Sequence, residues 1–261
     1  MTGVLVGVAY DGTAFSGWAS QRDERTRTVE DAVRGAILAV DPGADGPRGA
    51  SRTDAGVHAE EQLAAFDATL DIPARGWVLA LNQHLPDDVA VRWARHVPRG
   101  YAPRFASRKK RYRYELLLDK LRDPLLRDRA WRIGYDMDMA LLEREATKIV
   151  GTHDFAAFRS SRDERKETIR TIHDVGVTRS GVDARRWSIL VEGNAFLYNM
   201  VRILVGTLVD VATGRLPEGT IARALAVQDR ALAGQTAPAH GLTLAAIDVD
   251  IPEEAGERWP Q

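Results

Sequence analysis

The 261-residue chain has no cysteine, which removes disulfide frameworks, zinc ribbons, iron-sulfur clusters and thiol nucleophiles together. It also lacks a surplus of either charge. Against 36 Lys and Arg stand 37 Asp and Glu, a net charge of -1, so this is no histone-like coat for nucleic acid, and phosphate binding must come from a local patch. Long apolar runs are missing too. Val4 to Ala9 is strand-sized, and Phe196 to Val211 contains Asn199, Arg202 and Asp210, each costly in a bilayer. With no basic leader after Met1, the expectation is a soluble, cytoplasmic protein that binds no membrane.

Two familiar chemistries are absent from the motif pattern. The six histidines, at 58, 84, 96, 153, 173 and 240, have no ligand spacing such as HExxH, so no metal is expected. Gly7 to Ala14 begins with phosphate-loop spacing but places Thr13 and Ala14 where Lys and Ser/Thr are required, and it reads as a strand followed by a turn.

What is present is enough for a core: 44% of residues are hydrophobic. Strands are predicted at Val4–Tyr10, Leu63–Phe66, Val89–Trp93, around Tyr112–Leu118, at Ile169–Val177, Trp187–Val191 and Leu242–Val249. Helices are predicted at Val29–Val40, opened by a Thr28/Asp31 capping box, from Pro73 to Asn82, from Met139 to Val150, at Phe196–Thr213 and at Ile221–Val227. Asp41 to Gly49 reads as loop or a short edge. Strands and helices do not strictly alternate, so the class is α+β rather than a doubly wound sheet.

Three segments carry candidate chemistry. Ser51 to His58 (SRTDAGVH) packs a carboxylate, an arginine, hydroxyls, a glycine and an imidazole into a turn-like stretch; composition leaves open whether it presents a reactive group or is an Asp/Thr-stabilised turn. Between Arg99 and Arg113, seven cations (Arg99, Arg104, Arg108, Lys109, Lys110, Arg111, Arg113) occur with no acidic residue and with Tyr101, Phe105 and Tyr112 interleaved. That pattern suits an RNA backbone with unstacked bases, or a solvated basic loop. Arg202 lies within an otherwise apolar helix, where it either needs a carboxylate partner or reaches water from the helix edge.

Ser51 to Ala59 (SRTDAGVHA) closely resembles the catalytic signature of the tRNA pseudouridine synthase A family. The resemblance extends in the family's order through Tyr10–Trp18 (YDGTAFSGW), Leu81–Asp88 (LNQHLPDD), Arg104–Tyr114 (RFASRKKRYRY), Gly151–Phe158 (GTHDFAAF), Asn194–Arg202 (NAFLYNMVR) and Ala237–Leu244 (APAHGLTL). The departures are Ser51 for a usual Gly, Ala19 for a frequent Gln and Thr243 for a frequent aromatic.

The resemblance implies a pseudouridine synthase fold: two similar halves forming a continuous, mainly antiparallel sheet flanked by helices. The division expected here is 1–105 with the Asp loop, 106–251 completing the cleft, and 252–261 as a flexible tail. It implies a cofactor-free isomerase acting on uridines 38, 39 and 40 of the tRNA anticodon stem-loop, as a homodimer. By the same resemblance Asp54 is the nucleophile, attacking ribose C1′ or uracil C6; Arg202 is its basic partner, Tyr112 stacks on the target base, and Arg52 supports the flipped nucleotide. Charge alone adds Arg104, Arg108, Lys109, Lys110 and Arg111 as backbone contacts. The alternative is a non-catalytic tRNA-binding or chaperone protein on this scaffold. A glycosidase would need a second acid beside Asp54, for which Glu60 and Glu61 are the sequence neighbours.

Overall fold

The computed structural model describes residues 2–21, 25–181 and 183–260. The fold is α+β, a large, mostly antiparallel sheet flanked by helices. By packing it divides into two units: Met1–Arg108 with Leu244–Gln261, and Lys109–Thr243. Most of the last strand, from Leu244 on, thus falls with the first unit.

In the first unit, β1 (Gly3–Tyr10) is buried along nearly its whole length, because it lies between two antiparallel partners. Those are β3 (His58–Asp67) and β4 (Val89–Val97), with Leu5 opposite Ala65 on one side and Arg95 on the other. The two-residue β2 (Arg48–Gly49) edges β3, and β10 (Leu242–Val249) follows β3 in the sheet. Helix α1 (Val29–Val40) starts where the capping box predicts, the Thr28 hydroxyl accepting from Asp31 N–H. Its apolar stripe Val29, Val33, Ala36 and Ile37 is buried. Helix α2 (Ala74–His84) buries Trp77, Val78 and Leu81, with Pro73 as its cap. The four-residue α3 (Pro103–Ala106) packs on β2 and β3.

The second unit holds β5 (Ser107–Leu118), β6 (Trp131–Ile133), β7 (Gly151–Asp154), β8 (Ile169–Arg179) and β9 (Arg186–Gly193). Their order is β5-β9-β8-β7, antiparallel throughout, with β6 parallel to β5. Helix α4 (Met139–Thr147) ends before Gly151, which opens β7 with φ +119°. Helix α5 (Met200–Ala212) is buried on all sides except at Arg202, as expected of a core helix; α6 (Thr220–Val227) packs on it. Among the described residues no helix is long and apolar enough to cross a membrane.

Two segments depart from the sequence expectation. Residues 196–199, predicted as the first turn of α5, are not helical: Asn199 sits at φ 61° as the N-cap, a conformation asparagine tolerates better than most residues. And the residues expected as a flexible tail lie on β4: Trp259 exchanges backbone hydrogen bonds with Ala94, Gly256 N–H donates to His96 O, and the Arg258 guanidinium sits 4.5 Å from the Trp93 ring centre.

Candidate active site

The loop joining β2 to β3 carries Arg52 and Asp54, and its backbone is held from outside. Trp18 N–H donates to Thr53 O at 3.1 Å, Gly56 N–H donates to Phe15 O at 3.2 Å, and Val57 N–H closes the turn onto Asp54 O at 3.1 Å. The Tyr10 and Thr53 hydroxyls share a buried 2.7 Å hydrogen bond. Gly12 N–H donates to His58 Nδ1 at 3.1 Å, and Asp11 Oδ1 lies 3.2 Å from the same nitrogen. At the loop's start, Gln62 accepts from Ser51 N–H and donates to Ser51 O. Thr53, Val57 and His58 are buried, Asp54 is half-buried and Arg52 is exposed. The segment is therefore a fixed turn with its carboxylate at the surface boundary, built by Tyr10–Trp18 some 40 residues earlier.

Glycine at 17 is a structural requirement. Its φ is +99°, and a Cβ there would come within 2.5 Å of Thr53 O. Gly17→Ala is expected to shift the Asp54 loop and lower kcat about tenfold or more, with a drop of a few degrees in Tm, since such strain costs about 1–3 kcal/mol. Steady-state kinetics beside thermal unfolding checks this; unchanged kcat would show that the loop tolerates displacement. Glu61 is committed elsewhere, accepting from Trp93 Nε1 at 2.7 Å, and Glu60 is exposed on β3.

In the second unit, Tyr112 lies on β5 opposite Val191, 6% exposed, with its ring edge-on to Phe196 at 5.1 Å. Arg202 donates from Nε to Ala237 O and from Nη1 to Asn199 Oδ1, both at 2.8 Å, while Ala237 N–H returns a bond to Arg202 O. These contacts fix the guanidinium plane and tie the APAHGL segment to α5. Tyr114 donates to Pro238 O at 2.8 Å, and burial pushes its phenol far above the usual range against the smaller opposing effect of Arg202.

Asp163 organises this corner. It accepts a forked bond from Arg165 and another from Tyr198 N–H at 2.8 Å, and the Arg165 bond leads in holding its carboxyl well below the ordinary range. That anchor keeps Phe196–Asn199 out of α5. Its only sequence signal is Asp163 two residues before Arg165.

The basic segment is less bare than its sequence suggests. Arg108 pairs with Asp250, Arg99 with Asp67 at 3.7 Å, and Lys109 and Arg111 with Glu192 at 3.2 and 2.6 Å. The Arg111 bond leads in lowering the Glu192 carboxyl, against its own desolvation. Arg104 is exposed and Lys110 half-buried. Among the described residues no three His, Asp or Glu side chains converge as a metal would need.

A relative from Halalkalibacterium halodurans, named tRNA pseudouridine synthase A, is 40% identical over 236 residues, covering 90% of this chain and 88% of its own. Relatives of the same name from Geobacter sp. strain M21 and Bacillus subtilis strain 168 are 40% and 38% identical over 254 and 241 residues. They cover 97% and 91% of this chain and 100% and 95% of their own. The chain belongs to the tRNA pseudouridine synthase family. The family model described as tRNA pseudouridine synthase matches residues 146–250, a span that holds the Asp163 anchor, α5 and the Ala237–Leu244 block. The Asp54 loop lies outside that span but inside the region the full-length relatives cover.

Proposed function

We propose that this tRNA pseudouridine synthase isomerises uridines 38, 39 and 40 of the tRNA anticodon arm, with Asp54 as covalent nucleophile. The observation that carries the reading is the rigid turn that presents Asp54, in a chain that matches relatives of this name over about nine-tenths of its length. The isomerisation is redox-neutral. The bond from uracil N1 to ribose C1′ breaks, the base turns, C5 bonds to C1′, and the proton leaving C5 is balanced by one taken up at N1. A carboxylate suffices as nucleophile, adding to C1′ or to C6 and leaving again, so no cofactor is called for.

The target base must leave its stack; Arg52, exposed beside Asp54, supports the extruded nucleotide. Tyr112 stacks on the base and helps remove the C5 proton, and Arg202 holds Asp54 ionised. Arg104, Arg108, Lys109, Lys110 and Arg111 contact the RNA backbone. The enzyme acts as a homodimer in the cytoplasm. Tritium release from tRNA labelled at uridine C5, with pseudouridine mapping in tRNA from a deletion strain, tests this; unmodified 38–40 in wild-type tRNA, or a folded protein that binds tRNA without releasing tritium, overturns it.

Tyr112→Phe keeps the ring and its edge contact with Phe196 but loses the hydroxyl. It is expected to lower kcat by about 10² or more with little change in KM. Tyr112→Leu should lose stacking as well and raise KM. A Leu variant as active as the parent would remove Tyr112 from the mechanism.

A further inference from the structure

The three aromatic residues interleaved with the basic segment have different surroundings. Tyr112 is buried against Phe196. Tyr101 is half-buried and donates its hydroxyl to Asp250 O at 2.7 Å. Phe105 is 88% exposed. Of the six phenylalanines, Phe15, Phe66, Phe155 and Phe158 are buried and Phe196 half-buried, so Phe105 alone forgoes the burial that the chain provides for its other phenyl rings.

This exposure does not come from a loose loop. Phe105 N–H donates to Ala102 O at 3.0 Å, and Pro103 is buried at the first turn of α3. Arg48 Nε holds Tyr101 O at 3.2 Å on one side, and Asp250 N–H holds Ala106 O at 2.9 Å on the other. Helix α3 packs on β2 and β3, the strands that the Asp54 loop joins. A fixed backbone thus presents a bare ring from a helix packed on the two strands that the Asp54 loop joins. Around it in sequence stand Arg104, exposed, and Arg108, whose side chain is 67% exposed.

We propose that Phe105 is a stacking platform for an unpaired base of the RNA substrate, with Arg104 on the adjoining phosphate. The proposal rests on the reading of the substrate as tRNA. Unstacked bases in RNA loops are held on aromatic faces beside cations, whereas the core of a protein-protein interface is depleted of charge. A ring already fixed in place loses little conformational entropy on binding, which favours a stacked contact.

The test is binding and turnover of an anticodon stem-loop RNA by the full-length protein and its Phe105→Ala, Phe105→Trp and Arg104→Ala variants across a salt series. Phe105→Ala is expected to bind about 5- to 100-fold more weakly, as the loss of one stacked base predicts, with an unchanged slope of log affinity against log salt. Its loss should fall on KM more than on kcat, and Phe105→Trp should restore binding. Arg104→Ala should instead flatten the slope by about one phosphate contact. Affinity of Phe105→Ala equal to wild type, or no rescue by Trp, overturns the platform. So does a change in sedimentation on Phe105→Ala, which would make the ring a subunit contact. Wild-type protein that binds no tRNA would remove the functional reading itself, and the platform with it. Wild type that modifies tRNA beside an unaffected Phe105→Ala removes the platform alone.

Discussion

Asp54→Asn is expected to lower turnover by about 10⁴ or more while tRNA still binds. The amide has nearly the carboxylate's shape but not its charge or nucleophilicity, so the substitution tests the proposed nucleophile with little change in volume. Three of the bonds that hold the turn join backbone groups: Thr53 O accepts from Trp18, Asp54 O from Val57, and Phe15 O from Gly56. None of these uses the Asp54 side chain, so the loop should keep its course. A filter-binding assay beside tritium release separates the two effects. Activity within tenfold of wild type would remove Asp54 as nucleophile; loss of binding in parallel with activity would make it a contact for the RNA.

The parts of this fold set by neighbours in sequence were readable before the structure. Helix α1 runs over its predicted residues because the cap and the apolar stripe are both local; β10 does too, opening on Leu242 and Leu244, which alternate with the less buried Thr243 and Ala245. What escaped depends on partners far away. The start of α5 moves from 196 to 200 because Asp163 binds Tyr198 N–H and Asn199 turns left-handed, and no 3.6-residue pattern records either. The basic segment carries no acidic residue, yet Glu192 reaches it from β9 and Asp250 from just beyond β10. The tail looks unstructured by composition, and distant partners on β4 hold it: Ala94 pairs with Trp259, His96 O accepts from Gly256 N–H, and Arg258 sits over Trp93. In the site itself, the Asp54 turn was visible as Asp, Thr and Gly chemistry. Its rigidity was not, because Tyr10, Gly12, Gly17 and Trp18 supply it through backbone amides, close approach and one buried hydroxyl pair.

Arg202→Met is expected to cost about 10²–10³ in kcat near neutral pH, with part of the loss recovered as pH rises. Methionine fills a similar length and suits a helix whose other residues are all buried, so α5 should persist; circular dichroism checks that. The variant loses the guanidinium and the two bonds that orient it, to Ala237 O and Asn199 Oδ1. If Arg202 holds the charge on Asp54 as proposed, the sign of the pH effect is fixed. A nearby cation favours the ionised carboxylate, so removing it lets the protonated form persist to higher pH. The acid limb of the pH-rate profile should then move upward, and raising the pH should return nucleophile. Arg202→Lys separates charge from geometry. Lysine keeps the cation but cannot span both oxygens as the planar fork does, so its acid limb should stay near that of wild type while kcat falls. A folded Met variant equally impaired at every pH would show that Arg202 orients Ala237, Asn199 or the RNA without holding the charge on Asp54.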